Sequence, residues 1–323
     1  MKKTILTILS LLLLTSVSHG MGSAPGTPEV LDVSVEYLGS IGYAGSGDGE
    51  FYFPRDVYAS IRGDLSTAVG DVFVADTGNE RIERLNPKGE FEYQFGGFGS
   101  SLGKFNTPRS IAVDFNYVIY VCDTDNDRIQ KFDIRGNPLG EFGTLEVSGK
   151  YVKEPGGIAL DVLGYVYVTD SGNDRILKFT DYGAFLTSFG GFGWGDGFFD
   201  NPKDIAVDDG RNIYVADTDN NRIQKLDEYG MPIFVVGEAG KGESQFKNPA
   251  GIAVGRKLLY VADTGNDRIQ VFDKKGNFLL AFGSSGSGKS EFNAPHGISL
   301  GDKEVIFVAD TNNHRVQIFR VSY

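Results

Sequence analysis

The 323-residue sequence predicts an all-β fold, a six-bladed β-propeller of four-stranded antiparallel blades, with the ring closed by an N-terminal strand that completes the last blade. Three observations predict it. One phrase recurs six times, as VADTGNERI, VCDTDNDRI, VTDSGNDRI, VADTDNNRI, VADTGNDRI and VADTNNHRV, and its arginine falls at Arg81, Arg128, Arg175, Arg222, Arg268 and Arg315. The steps are 47, 47, 47, 46 and 47 residues, a period that suits propeller blades. The sixth unit stops after its third strand pattern, while an unmatched fourth-strand pattern, Val35 to Gly42, precedes the first full unit.

Within a unit the elements follow from alternation and turn signals. In the fourth unit Asn201-Pro202 leads into Asp204-Ile205-Ala206-Val207, and the polar stretch Asp208 to Asn212 turns the chain. Ile213 to Ala216 follows, then the turn Asp217 to Asn221, then the alternating Ile223-Gln224-Lys225-Leu226. Ile233 to Val236 closes on Gly237. The N-terminal pattern places Ile41-Gly42 in register with Phe95-Gly96, so it supplies the missing strand of blade six and removes an open edge. Between Pro54 and Pro108 the spacing is 54 residues, and the excess falls in Ala59 to Gly70, read as a surface insertion.

The Pro-x-x-Ile-Ala-Val-Asp opening, the Val-Ala-Asp-Thr-x-Asn-x-Arg-Ile turn and the closing Phe-Gly resemble the NHL-repeat family of six-bladed propellers, over about residues 30 to 320. The resemblance, of the exported bacterial type, implies the fold and leaves function open. Such propellers serve as protein-binding platforms, RNA-binding domains and sensor domains, and more distant relatives are lyases and lactonases. Fold alone does not choose among these.

Composition narrows the choice. Residues 1–20 read as a signal peptide: Lys2 and Lys3 precede an apolar run that ends before Ser18-His19-Gly20. Residues 21–29 read as a flexible segment and residues 30–323 as one propeller domain, secreted or periplasmic. No later stretch suits a membrane span. The formal net charge of −12, or −14 without the two signal lysines, argues against nucleic acid as a partner. Cys122, the only cysteine, reads as a small buried residue.

The repeated Asp-Arg pair looks like chemistry, but a feature present in every unit reads as scaffold. Gly283 to Ser290 satisfies a phosphate-loop pattern, yet a strand pattern rather than a helix follows it. Asp123 to Asp127 imitates a calcium loop, but Arg128 and Ile134 stand where glycine and glutamate are needed. A weak site at Asp125 and Asp127 is the reading left to it. No cofactor and no metal ligand set is expected, because His296, His314 and Cys122 are too few for zinc.

What varies between units is more informative. The residue after each repeat proline is Arg55, Arg109, Gly156, Lys203, Ala250 and His296, so three cations and a histidine converge at the channel mouth. The residue before each repeat Arg is Glu80, Asp127, Asp174, Asn221, Asp267 and His314, an acidic outer ring on the same face. Loop aromatics Tyr43, Phe98, Phe192 and Trp194 join them there. Arg55, Arg109, Lys203, His296, Tyr43, Phe98, Phe192 and Trp194 are the expected ligand-binding residues. The competing arrangement pairs the cations with Asp56, Asp204 and the outer acids, and packs the aromatics between blades.

The expected function is a non-catalytic binding or scaffold module for a protein, peptide or glycan, with no catalytic residue assigned, so an enzyme is disfavoured. The alternative is a metal-assisted lyase or lactonase at the central channel, with His296 as acid or base and Arg55 or Arg109 holding an anionic substrate.

Overall fold

The computed structural model describes residues 31–60, 71–146, 149 and 151–323. The segments expected as a signal peptide and flexible leader, and all but Ala59 and Ser60 of the expected insertion, lie outside the described residues.

Short alternating segments separated by tight turns form six four-stranded antiparallel sheets. Blade one comprises Asp56–Ala59, Val72–Asp76, Arg81–Leu85 and Phe91–Gly96, in spatial as well as chain order. Blades two to five repeat this meander. In blade six Pro295–Leu300, Val305–Asp310 and Arg315–Ser322 pair in sequence, and the N-terminal strand Ser34–Ile41 adds to the last of them. Its register, Ile41 opposite Val316 and Ser34 opposite Ser322 with a bulge between Tyr37 and Gly39, is the predicted closure.

The innermost strands are Asp56–Ala59, Pro108–Val113, Pro155–Leu160, Pro202–Val207, Gly251–Val254 and Pro295–Leu300. Each lies beside the innermost strands of its two neighbours, and the last lies beside the first, so they line a central channel. The core sits between blades. Between blades one and two, for example, Phe73, Ile82, Phe105, Ile111, Val121 and Phe132 pack as one buried cluster.

A second layer of order holds the loops that join one blade's outermost strand to the next blade's innermost strand. In five of them, Phe51, Phe105, Phe199, Phe246 and Phe292 are fully buried, each as one partner of a short parallel bridge. The repeat arginine clamps the loop from the side: Arg222 donates to the carbonyls of Trp194, Gly195 and Phe198 while its Nε donates to Asp217 Oδ2 at 2.6 Å. Asp217 also accepts from Gln224, Asn220 and the backbone of Asp200. Charge-assisted bonds to every arm of a buried pair make it a structural clamp, as the repetition predicted. The same clamp accounts for the two decoys. Arg315 holds the carbonyls of Gly288 and Glu291 in the glycine-rich loop, and Asp123 is occupied by Asn126, Arg128, Gln130 and the backbone of Asn106.

Candidate functional site

The channel mouth is built by three stacked devices, each contributed once per blade. The first is a hydroxyl bond. Thr77, Thr124, Ser171, Thr218, Thr264 and Thr311 each donate to the carbonyl of a proline in the next blade, the last from Thr311 Oγ1 to Pro54 O at 2.7 Å. Each bond fixes the residue immediately before a mouth position.

The second device is the expected acidic outer ring, and its role differs from the expectation. Glu80, Asp127, Asp174, Asn221, Asp267 and His314 all have left-handed backbones, with φ between 52° and 57°. Each side chain accepts the backbone N–H of a residue in the next blade: Thr107, Glu154, Asn201, Asn248, Ala294 and Phe53. These six acceptors are latches between blades. His314 is one of them, its Nδ1 3.0 Å from Phe53 N and its ring stacked on Tyr52, so it stands apart from His296. Spacing alone did not reveal the latch, although the residue's place one before the repeat Arg is its sequence signal.

The third device is the mouth itself. Arg55, Arg109, Gly156, Lys203, Ala250 and His296 line one small cavity of ≈ 30 Å³, floored by Asp56, Ser110, Asp204 and Gly297. Close approach of the strands requires glycine at two places. A Cβ on Gly251 would stand 1.9 Å from the His296 carbonyl oxygen, and one on Gly297 would stand 2.1 Å from Asp56 Oδ1.

The pairing of cations with Asp56 and Asp204, offered above as the competing arrangement, is not what the structure has. Asp56 accepts from Val57 N, Ile111 N and Ser110 Oγ, and Asp204 accepts from Ile205 N and Ile252 N. Among the described residues no carboxylate forms an ion pair with Arg55, Arg109 or Lys203, and the buried Nε of Arg109 has no hydrogen-bond partner. Both floor carboxyls are pushed up by burial, and Asp204 additionally by Asp56.

Burial and mutual repulsion show at Arg55, Lys203 and His296. Burial and Arg109 bring Arg55 down to about 10, against the pull of Asp125. Burial and Arg109 bring Lys203 down to about 8. Burial, then Arg55, Arg109 and Lys203, push His296 down to about 3, so it is a neutral imidazole near pH 7. The arrangement is a seat for an anion beside a proton acceptor.

A metal ion does not fit this seat. The one histidine stands among three cations, and among the described residues no group of three or more His, Cys, Asp or Glu side chains is placed to hold an ion. In the segment that imitates a calcium loop, Asp125 accepts from Thr107 Oγ1 and Asp127 from Glu154 N.

The four aromatics do not line the mouth cavity. Tyr43, Phe98, Phe192 and Trp194 are exposed on their loops rather than packed between blades, with Trp194 at 74%. Tyr43 bonds Glu50 through its hydroxyl, and Phe192 meets Trp194 edge-on at 6.0 Å.

Comparison with known proteins places the chain. The profile of the NHL repeat matches residues 199–226, 246–272 and 292–319. No curated protein matches the sequence. Solved structures match in shape. Virginiamycin B lyase from Staphylococcus aureus is 17% identical, covering 90% of this chain and 99% of that one at a TM-score of 0.55. The same lyase has been solved as a catalytically inactive histidine-to-alanine variant with quinupristin, at a TM-score of 0.57. The gluconolactonase XC5397 from Xanthomonas campestris is 14% identical, covering 84% and 88% at 0.60. An auxiliary nutrient binding protein from Bacteroides thetaiotaomicron is 13% identical, covering 90% and 77% at 0.63.

The chain is a six-bladed β-propeller with NHL-repeat matches in its fourth, fifth and sixth blades. At these identities the structures establish the fold and do not carry their activities to it. They do correct the expectation of a non-catalytic module and the disfavouring of an enzyme, because lyases, a hydrazine synthase and a gluconolactonase are among the structures that share this fold over 88% to 100% of their own length. No helix among the described residues is long and apolar enough to cross a membrane.

Proposed function

We propose that this propeller is an enzyme of the lyase or lactonase class acting at the cationic channel mouth on a substrate that carries or develops negative charge. The observation that carries the reading is the convergence of Arg55, Arg109 and Lys203 around a neutral His296, with no carboxylate among the described residues paired to any of the cations. Unpaired, part-buried cations are costly, and an anion removes that cost.

The geometry gives the residues distinct work. Arg55, Arg109 and Lys203 hold the anionic group and the charge that grows on the oxygen of a cleaved C–O bond. His296 accepts the proton, from water in lactone opening or from carbon in an elimination, and returns it to the leaving oxygen. Burial and then the three cations suppress its basicity. A bound anion cancels their repulsion and raises the imidazole pKa, so the base is switched on by the substrate it serves. The inactive histidine variant of the lyase above supports a histidine-centred reaction in this fold.

The test is an assay panel of acidic lactones and of esters with an acidic α-proton, run with wild type, His296→Gln and Arg109→Ala. Turnover lost in both variants at unchanged melting temperature supports the reading. Turnover retained in His296→Gln would sink the assigned base, and a panel with no turnover would sink the class. Export belongs to the same reading, and N-terminal sequencing of the processed protein that begins at Met21 would support it.

A further inference from the structure

The channel holds a second and larger space that the mouth chemistry does not use. A cavity of ≈ 400 Å³ opens on the opposite face, among the turns that follow the innermost strands. It is lined by successive rings of inner-strand residues, among them Ile111, Leu160, Val207 and Val254, and its rim carries the exposed Phe115 and Val162. Its far end is the same floor that closes the mouth: Asp56, Ser110 and Asp204 line both spaces. Blades one and four stand across the ring from each other, so the two floor carboxyls face the axis from opposite sides.

We propose that this cavity is a binding site for a compact apolar molecule ending in a protonated amine, with its ammonium set against Asp56 and Asp204. Size, polarity and charge each point the same way. The volume lies in the range of small-molecule sites, and the inner strands carry the wall about 10 Å from Asp204 to Val207. Between the carboxyls of the floor and those of the rim the walls are largely aliphatic, so an apolar body there displaces poorly held solvent. No lysine or arginine is among the lining residues, whereas Asp56, Asp114, Asp161, Asp204, Asp208 and Asp209 are. The mouth cations lie beyond the floor.

The floor can receive a donor. Each carboxylate has about four acceptor sites. Asp56 fills three of its own and Asp204 two, all with groups of the inner strands. The rim carboxyls differ, since Asp114, Asp161 and Asp208 are engaged in their own turns and Asp208 also pairs with Lys274. Burial keeps the floor carboxyls reluctant to ionise, and an ammonium within contact reverses that preference.

The test uses three matched probes, 2-phenylethylamine, 2-phenylethanol and 3-phenylpropionate, titrated calorimetrically into the full chain at pH 8. The amine should bind at least tenfold tighter than the alcohol, and the acid should give no heat. Asp204→Asn should bring the amine down to the level of the alcohol. A measurement without substitution stands beside it: magnetisation transfer from valine, leucine and isoleucine methyls should reach the phenyl ring of the bound amine. Equal affinity for all three probes, absence of amine binding, or a phenyl ring without methyl contacts would overturn the proposal. Inorganic phosphate titrated into the wild-type chain and into Arg109→Ala, a residue that lines only the mouth, reads the mouth separately, so failure of either site is seen without the other.

Discussion

Two sixfold sets of residues lie side by side on paired strands of the blades, and they obey opposite rules. The Asp-Arg clamp is the same in every blade, with Arg Nε to Asp Oδ2 distances of 2.6 to 2.7 Å throughout. The mouth position is Arg, Arg, Gly, Lys, Ala and His. The clamp is satisfied by its own blade and the loop leading into it, whereas among the described residues no carboxylate forms an ion pair with a mouth cation and the buried Nε of Arg109 has no hydrogen-bond partner. A repeated architecture separates its tasks in this way: identical positions solve a problem every blade shares, and positions that differ serve a ligand that is not sixfold symmetric.

The largest effect should come from breaking a clamp. Asp217→Ala removes acceptors from Arg222, Asn220, Gln224 and the Asp200 backbone, and it leaves the Arg222 guanidinium buried without its partner. A loss of about 3–5 kcal/mol is expected in urea unfolding. A loss under about 1 kcal/mol would show that the clamp is decoration, since that is the scale of an exposed pair.

A mouth cation should behave in the opposite sense. Arg109→Ala removes a charge-assisted partner from the anion, worth about 1.5–3 kcal/mol or roughly 10- to 100-fold in phosphate affinity. Because Arg109 has no paired carboxylate and depresses Lys203 and Arg55, its removal should leave the melting temperature unchanged or higher. A fall like that of Asp217→Ala would erase the distinction between the two sets.

The pH dependence sharpens it further. His296 sits near 3 in the folded chain, below the ordinary imidazole value of 6.5, because of burial and of Arg55, Arg109 and Lys203. Between those values the unfolded chain holds the proton and the folded chain does not, so this group's stability is complete above about 6.5 and is lost as pH falls toward 3. His296→Gln, compared with wild type by urea unfolding, should therefore cost more at pH 7 than at pH 4.5. Phosphate should shrink that pH dependence by opposing the cations, and a difference that ignores both pH and phosphate would remove His296 from their field.

How much of this was legible follows from where each signal resides. The period and the orphan N-terminal strand carry the fold, since both are properties of sequence order. The mouth ring was legible because one residue after a repeat proline is one height along every inner strand. The latch role of Glu80 and its five counterparts was not, because it depends on a left-handed backbone and on the rotation between blades. The independence of the cations from Asp56 and Asp204 was hidden for a similar reason. A carboxyl beside an arginine in sequence can spend its oxygens on the backbone of the next blade, as Asp56 does on Ile111. The shared floor of two cavities needs both ends of the channel in view at once.

The smallest expected effect concerns Trp194, which belongs to the variable set by sequence and to the clamp by contact. Its carbonyl accepts from Arg222 Nη1 at 2.7 Å, while its ring is exposed and touches Phe192 alone among the aromatic side chains described. Trp194→Ala keeps the carbonyl and deletes the ring, so stability should change by no more than about 0.5 kcal/mol. Phosphate affinity should also hold, because the ring is not part of the mouth lining. Turnover on a bulky substrate is the property left for the ring to influence, by extending the contact beyond the mouth. A large loss of stability would instead mean that the loop's fold depends on the indole, and the clamp would then share its work with the variable set.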